Sequence, residues 1–229
     1  GEKGYRQIDI NLGCPFPMIA GKHKGAGMLL YPAQVAEVLA PIAEYPEIQF
    51  SLKMRLGWEN ASECMVLVEL LNTLRLSRIA LHARTGKQQY KGHPDLEAFQ
   101  GFYELCQHPL YYNGDIESLS DIRQILTRFP LLKGVFIGRG LLSSPLLAKE
   151  FKGNETFLPE QRMSIYFAFH EELFSAYSQV LQGETQLLVK MKTLWEYFLP
   201  ETDRKLLKRI KKSTRLQQYT ESVKAIFTS

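Results

Sequence analysis

Five short β-rich segments recur along the chain: Gln7–Leu12, Ile48–Lys53, Arg78–His82, Leu110–Asn113 and Gly134–Ile137. Each is followed by Gly, Pro or polar residues and then by an amphipathic stretch. This alternation is the pattern of βα units feeding a parallel sheet, at about 25 to 40 residues per unit. The intervening stretches carry helical periodicity. Pro32–Tyr45 places Val35, Val38, Leu39 and Ile42 on one face, and Ala61–Leu74 does the same with Met65, Val68 and Leu71, capped by Asn60 or Ser62. Asp95–Gln107 and Ser118–Phe129, the latter starting at Ser118 or Ser120, complete the set. A cluster of chemistry-bearing residues at the carboxyl end of each strand favours an α/β fold of the (β/α)8 TIM-barrel type over an open doubly wound sheet. A closed barrel takes about 250 residues, whereas five units fill residues 1–150 here. The expectation is therefore the last five units of a barrel, in a chain that starts with Gly rather than Met and is a piece of a longer protein.

Beyond Pro145 no further strand is expected. Residues 151–158, with Gly153 and Asn154, read as a linker, and residues 159–229 as an all-α domain of three or four helices: Gln161–Leu181, Thr185–Phe198, Glu201–Lys212 and Arg215–Phe227. Residues 204–215, RKLLKRIKKSTR, hold seven basic residues and no acidic one, although the whole chain carries a net charge of only +4. That density points to a polyanion surface built from Lys205, Lys208, Arg209, Lys211, Lys212 and Arg215, with nucleic acid as the natural partner.

Length and composition exclude several classes. No apolar run long enough to span a membrane and no secretory layout appears, so a cytoplasmic location is expected. Cys14, Cys64 and Cys106 are too few and too scattered for a disulfide framework or a metal site, and His170-Glu171-Glu172 lacks the second histidine of a zinc motif.

The stretch Ile8–Ala26 is the most site-like. A buried strand stops at Gly13 and offers Cys14, locked in front of Pro15, with Asn11 three residues earlier. The following Gly21-Lys-His-Lys-Gly-Ala-Gly27 reads either as a mobile basic loop or as turn punctuation, since it lacks the ending of a P-loop. Lys53 and Arg55 end the second strand and His82 and Arg84 the third. A strand-end lysine calls for an anion or an electron-rich ring. Asn113-Gly114-Asp115 and Gly138-Arg139-Gly140 follow the last two strands, where barrels commonly bind phosphate, which would make those strands seven and eight.

Asp9-Ile-Asn-Leu-Gly-Cys-Pro15 with Gly25-Ala26, then Lys53-Met-Arg55, His82-Ala-Arg-Thr85, Asn113-Gly-Asp115 and Gly138-Arg139, resembles the ordered motif set of the tRNA-dihydrouridine synthases. The resemblance covers nearly the whole chain except the family's first three βα units. It implies an FMN-binding barrel, a helical domain that helps hold tRNA, and reduction of the 5,6 double bond of a uridine in tRNA with NADPH as reductant. It implies further that Cys14 is the general acid, that Asn11, Tyr90 and Arg84 contact the uracil, and that Lys53 and His82 lie beside the flavin ring. Asn113, Gly114, Asp115, Gly138 and Arg139 match its ribityl and phosphate contacts. No metal and no obligate protein partner are implied. Two other readings share part of the pattern: another FMN-dependent barrel oxidoreductase acting on a small molecule, and a non-catalytic RNA-binding remnant.

Overall fold

The computed structural model describes residues 3–228. Its sheet has five parallel strands in the order β1 (Gln7–Leu12), β2 (Gln49–Gly57), β3 (Leu76–Thr85), β4 (Leu110–Asn113) and β5 (Gly134–Phe136). Each strand pairs with its neighbour in sequence, so the order never reverses as it does in a doubly wound sheet. β2 and β3 run further than the sequence pattern predicts, through Arg55 and Arg84. A charged side chain at alternate positions does not end a strand; it occupies the opposite face from the apolar set.

Residues paired across neighbouring strands point to the same side. The pairs Ile10 with Leu52, Met54 with Leu81, and Leu81 with Tyr112 build one apolar face. The pairs Asp9 with Ser51, Asn11 with Lys53, Arg55 with His82, and His82 with Asn113 build the other face, which is polar.

Helices cover the apolar face. These are α2 (Pro32–Leu39), α3 (Glu63–Asn72), α4 (Leu96–Leu105) and α5 (Leu119–Arg128), whereas the short α1 (Pro17–Ala20) lies in the loop after β1 against a 3-10 turn at Gly25–Leu30; a second 3-10 turn is at Ala40–Ala43. Phe99 of α4 meets Tyr112 edge-on at 5.0 Å and Phe129 at 5.0 Å, fixing the helix layer to the sheet. Asp95 caps α4 by accepting from the Ala98 amide at 2.9 Å. α3 starts differently from the expectation. Ser62 stands at the cap position without a side-chain bond, and Glu63 instead reaches back to the Trp58, Glu59 and Asn60 amides at 2.7, 3.1 and 2.8 Å.

The chain divides into two compact units, one reaching to Ile116 and including Ser120–Ile137, the other formed by Glu117–Leu119 and Gly138 onward. The second unit holds α6 (Arg139–Ser143), α7 (Leu147–Gly153), α8 (Pro159–Val180), α9 (Glu184–Leu194), α10 (Arg204–Lys212) and α11 (Leu216–Phe227). α7 thus occupies the first part of the stretch expected as linker. Its buried Glu150 pairs with Arg162 of α8, an attachment that a linker reading of residues 151–158 does not foresee.

The core of the second unit gathers Tyr166, Met191, Trp195, Phe198, Ile210 and Tyr219 around a buried histidine, His170. The Trp195 indole donates to the Tyr219 hydroxyl oxygen at 2.9 Å, and that hydroxyl donates onward to His170 Nε2 at 2.6 Å. His170 Nδ1 therefore carries the proton and donates to Glu171 at 3.1 Å. Burial, opposed by Glu171, holds the His170 pKa below its usual value. The unfolded chain then binds the proton more readily, so this contribution to stability is full above about pH 6.5 and is lost as pH falls toward the folded pKa. The urea midpoint followed by Trp195 fluorescence in a Trp58→Phe background is expected to drop between pH 7.5 and 5, and less so in His170→Gln. Equal pH slopes in both proteins would contradict the assignment.

Candidate active site at the carboxyl ends of the strands

The polar face of the sheet ends in a row set by the strand register: Asn11 beside Lys53, then Arg55 beside His82 beside Asn113. Cys14 follows β1 directly and is a free, half-buried thiol. Its turn is tied at both ends. The Gly13 amide donates to Asn11 Oδ1 at 2.9 Å, and the Ala26 amide donates to the Cys14 carbonyl at 3.0 Å. Gly25 has φ +56°, and a Cβ there would lie 2.7 Å from the Cys14 oxygen. Glycine is required at that position for close approach to Cys14. Gly25, Ala26 and Gly27 are buried in a packed turn, whereas the basic residues Lys22, His23 and Lys24 before them are exposed.

Lys53 is half-buried, and no hydrogen bond or ion pair reaches its ammonium among the described residues. Burial first and then the Arg55 charge lower its pKa, against an opposing pull from Asp9. His82 is 6% exposed, and its pKa falls to about 3 through burial and then through Arg55, Lys53 and Arg84. The imidazole is neutral at physiological pH. A guanidinium only donates, so the 3.4 Å contact from Arg84 Nη1 makes Nε2 the acceptor and leaves the proton on Nδ1.

Arg84 is enclosed by its own chain. It is 1% exposed, and its guanidinium donors go to Lys91 O, Gly92 O, His82 and both oxygens of Asp115, the last at 2.8 and 2.5 Å. All five guanidinium donors thus have partners within the protein, and a uracil contact by Arg84 would require exchanging one of them. Asp115 is engaged in that pair. Asn113 gives its amide to the Phe136 carbonyl at 2.8 Å, and a Cβ on Gly114 would lie 2.3 Å from the Tyr112 hydroxyl. The Asn-Gly-Asp turn is thus held largely by internal partners.

Tyr90 lies on the loop after β3, 55% exposed, with its ring centroid 6.2 Å from that of His82. Gly138 and Arg139 stand at the start of α6 in the second unit. In the same unit Lys205, Lys208, Arg209 and Lys212 converge on one cleft between α10 and α11, while Lys211 and Arg215 are exposed outside it. Asp203 caps α10 through the Lys205 and Leu206 amides.

Sequence reasoning passed over the role of Arg55, naming it only as a strand-end cation. It is 1% exposed, with its Nε on Gly13 O at 3.1 Å and its Nη1 on Thr85 O and Gln89 O at 2.8 and 2.7 Å. Its carbon Cζ lies 5.5 Å from the Tyr90 ring centroid. The available signal was its position two residues after Lys53, on the same face of a strand. No group of three or more His, Cys, Asp or Glu side chains arranged to hold a metal occurs among the described residues, and no helix among them is long and apolar enough to cross a membrane.

Taken together, these features define a βα-repeat protein of α/β class whose thiol, amine and imidazole gather at the carboxyl ends of its parallel strands. A family model described as "Dihydrouridine synthase (Dus)" matches residues 1–228. tRNA-dihydrouridine synthase B of Vibrio vulnificus is 28% identical over 163 residues, covering 69% of this chain and 50% of that protein. A probable tRNA-dihydrouridine synthase of Rhizobium leguminosarum bv. phaseoli is 32% identical over 145 residues, covering 63% and 45%. The chain spans about half the length of these curated relatives. It belongs to the dihydrouridine synthase family.

Proposed function

We propose that the protein containing this chain is a cytoplasmic tRNA-dihydrouridine synthase that reduces the C5–C6 double bond of a uridine in tRNA, with FMN as cofactor and NADPH as reductant. In this reading the five strands are the last five of a (β/α)8 barrel, and residues 159–229 are the domain that holds tRNA. The observation that carries it is the half-buried Cys14 thiol at the end of β1, in the turn tied to Asn11, with Asn11 paired to Lys53 on the neighbouring strand.

The donor set suits a flavin. Lys53 brings an ammonium without an acceptor, and neutral His82 brings an Nδ1–H, two groups able to meet an electron-rich ring system and its oxygens. When bound, FMN supplies the hydride that goes to uracil C6. Cys14 holds the proton that goes to C5, as general acid. Asn11 Oδ1 is spent on the Gly13 amide, so its Nδ2 is the group left to donate to a uracil carbonyl. The exposed Tyr90 ring offers a face for the base once it has left its stack. Asn113, Gly114, Asp115, Gly138 and Arg139 are assigned to the ribityl and phosphate end of the cofactor, with Asp115 acting from its pair with Arg84. The cleft between α10 and α11 supplies cations for the RNA backbone.

The test is the visible spectrum of the full-length protein, followed by FMN release on denaturation and NADPH-dependent reduction of unmodified tRNA. FMN release together with dihydrouridine formation is expected. FMN release with turnover confined to a small molecule would assign a different flavin oxidoreductase. tRNA binding without FMN would leave a non-catalytic RNA-binding protein.

A further inference from the structure

Arg55 is a cation 1% exposed whose donors meet three main-chain carbonyls and the Tyr90 side chain rather than a carboxylate. Burying a charge this way is costly unless its donors are well satisfied. The three acceptors are not scattered. Gly13 O immediately precedes Cys14, Gln89 O immediately precedes Tyr90, and Thr85 O closes β3 at the root of the Tyr90 loop. Gln89 has φ +52°, a left-handed conformation that is disfavoured for a non-glycine residue. Its carbonyl is the one Arg55 grips at 2.7 Å. Strain of this kind persists where the surroundings impose it. The guanidinium also stacks toward the Tyr90 ring at 5.5 Å.

We propose that Arg55 is a positioning residue, a single planar clasp that holds the Cys14 turn and the Tyr90 loop in one fixed relation, so that a base lying on Tyr90 meets the thiol. The assignment of base and thiol rests on the reading above; the clasp itself is a property of this chain. Elsewhere the two segments touch through packing: a Cβ on Gly86 would lie 2.2 Å from Trp58 and 3.1 Å from the Ala26 Cβ. The base of the Tyr90 loop is tied by the Gly86 and Lys87 amides to Gly57 O and Trp58 O, and its far side by Arg84; Arg55 adds the directional bonds that join it to the Cys14 turn. Lysine cannot reproduce this, because one ammonium on a flexible stem does not reach three carbonyls in a fixed plane.

The decisive experiment is amide hydrogen exchange of Arg55→Lys, which keeps the charge. Exchange is expected to rise tenfold or more in both the 13–16 and the 86–92 segments, with α4 unchanged. In the active full-length enzyme, kcat should fall while the KM for tRNA stays within about twofold, since the RNA is held elsewhere. Exchange within twofold of native in either segment, with α4 unchanged, overturns the clasp. If α4 exchange rises as well, the fold has loosened, and Arg55→Gln, a neutral substitution with an amide donor, decides by the same criteria in the same segments. The exchange readout involves no uridine, so failure of the clasp and failure of the assigned reaction are separate results.

Discussion

Cys14→Ala in the full-length protein is expected to retain bound flavin and tRNA affinity while losing about 10²- to 10⁴-fold in the rate of uridine reduction, the range in which a positioned general acid acts. The thiol is half-buried and sits in a turn whose two backbone bonds, Gly13 N to Asn11 Oδ1 and Ala26 N to Cys14 O, do not involve the side chain. Removing one sulfur therefore leaves the turn in place, and the loss falls on the proton. Cys14→Ser separates the proton from the shape: a hydroxyl of similar size is a far weaker acid, so a rate close to that of Cys14→Ala is expected. Turnover of unmodified tRNA by Cys14→Ala at the native rate would remove Cys14 from the acid role. The other two cysteines serve as controls, because burial pushes the thiol pKa of Cys64 up to about 12 and raises that of Cys106, which leaves both poorly suited to give or take protons.

The largest expected effect on stability comes from Asp115→Ala. Asp115 accepts two bonds from Arg84, a guanidinium 1% exposed, whose remaining donors hold Lys91 O, Gly92 O and His82. Breaking a buried pair by removing one partner leaves an uncompensated charge and costs about 3–5 kcal/mol; the Asp115 side chain is 33% exposed, which places the expectation at about 3 kcal/mol. Urea unfolding followed by Trp58 fluorescence in a Trp195→Phe background reads the first unit. The double variant Arg84→Met, Asp115→Leu should recover part of the loss, because apolar groups of similar volume need no partner. A loss under about 1 kcal/mol for Asp115→Ala would show the pair to behave as an exposed one. The same substitution should loosen the far end of the Tyr90 loop, since Arg84 loses the partner that orients it toward Lys91 O and Gly92 O.

Two arginines thus divide the loop after β3. Arg55 holds its near side to the Cys14 turn, and Arg84 holds its far side to the end of β4. The consequence for the other side chains is electrostatic. Burial first, and then the charges of Arg55, Lys53 and Arg84, lower the His82 pKa to about 3, so the imidazole acts as a hydrogen-bond donor and not as a proton shuttle near neutrality. A pH–rate profile of the active enzyme should then show no inflection assignable to His82 between pH 5 and 8.

Much of this protein was legible in its residues. The five strands follow from local alternation of β-rich and amphipathic segments, and the period of two along β2 and β3 decides by itself that Lys53 and Arg55, His82 and Arg84 share one face. The Gly13-Cys14-Pro15 turn is equally local. β2 and β3 run past Lys53 and His82, where the local pattern ends them, because alternation lets a charged residue continue the strand on the polar side. Where the hydrogen bonds of those charges go is fixed by contacts between segments far apart in the chain. Gly13, Thr85 and Gln89 lie 42, 30 and 34 residues from Arg55, and Asp115 lies 31 from Arg84. No periodicity carries information across such separations. A guanidinium facing substrate and one sealed against carbonyls are the same letter in the sequence, and the strand register that brings distant carbonyls within 3 Å is set only when the sheet assembles.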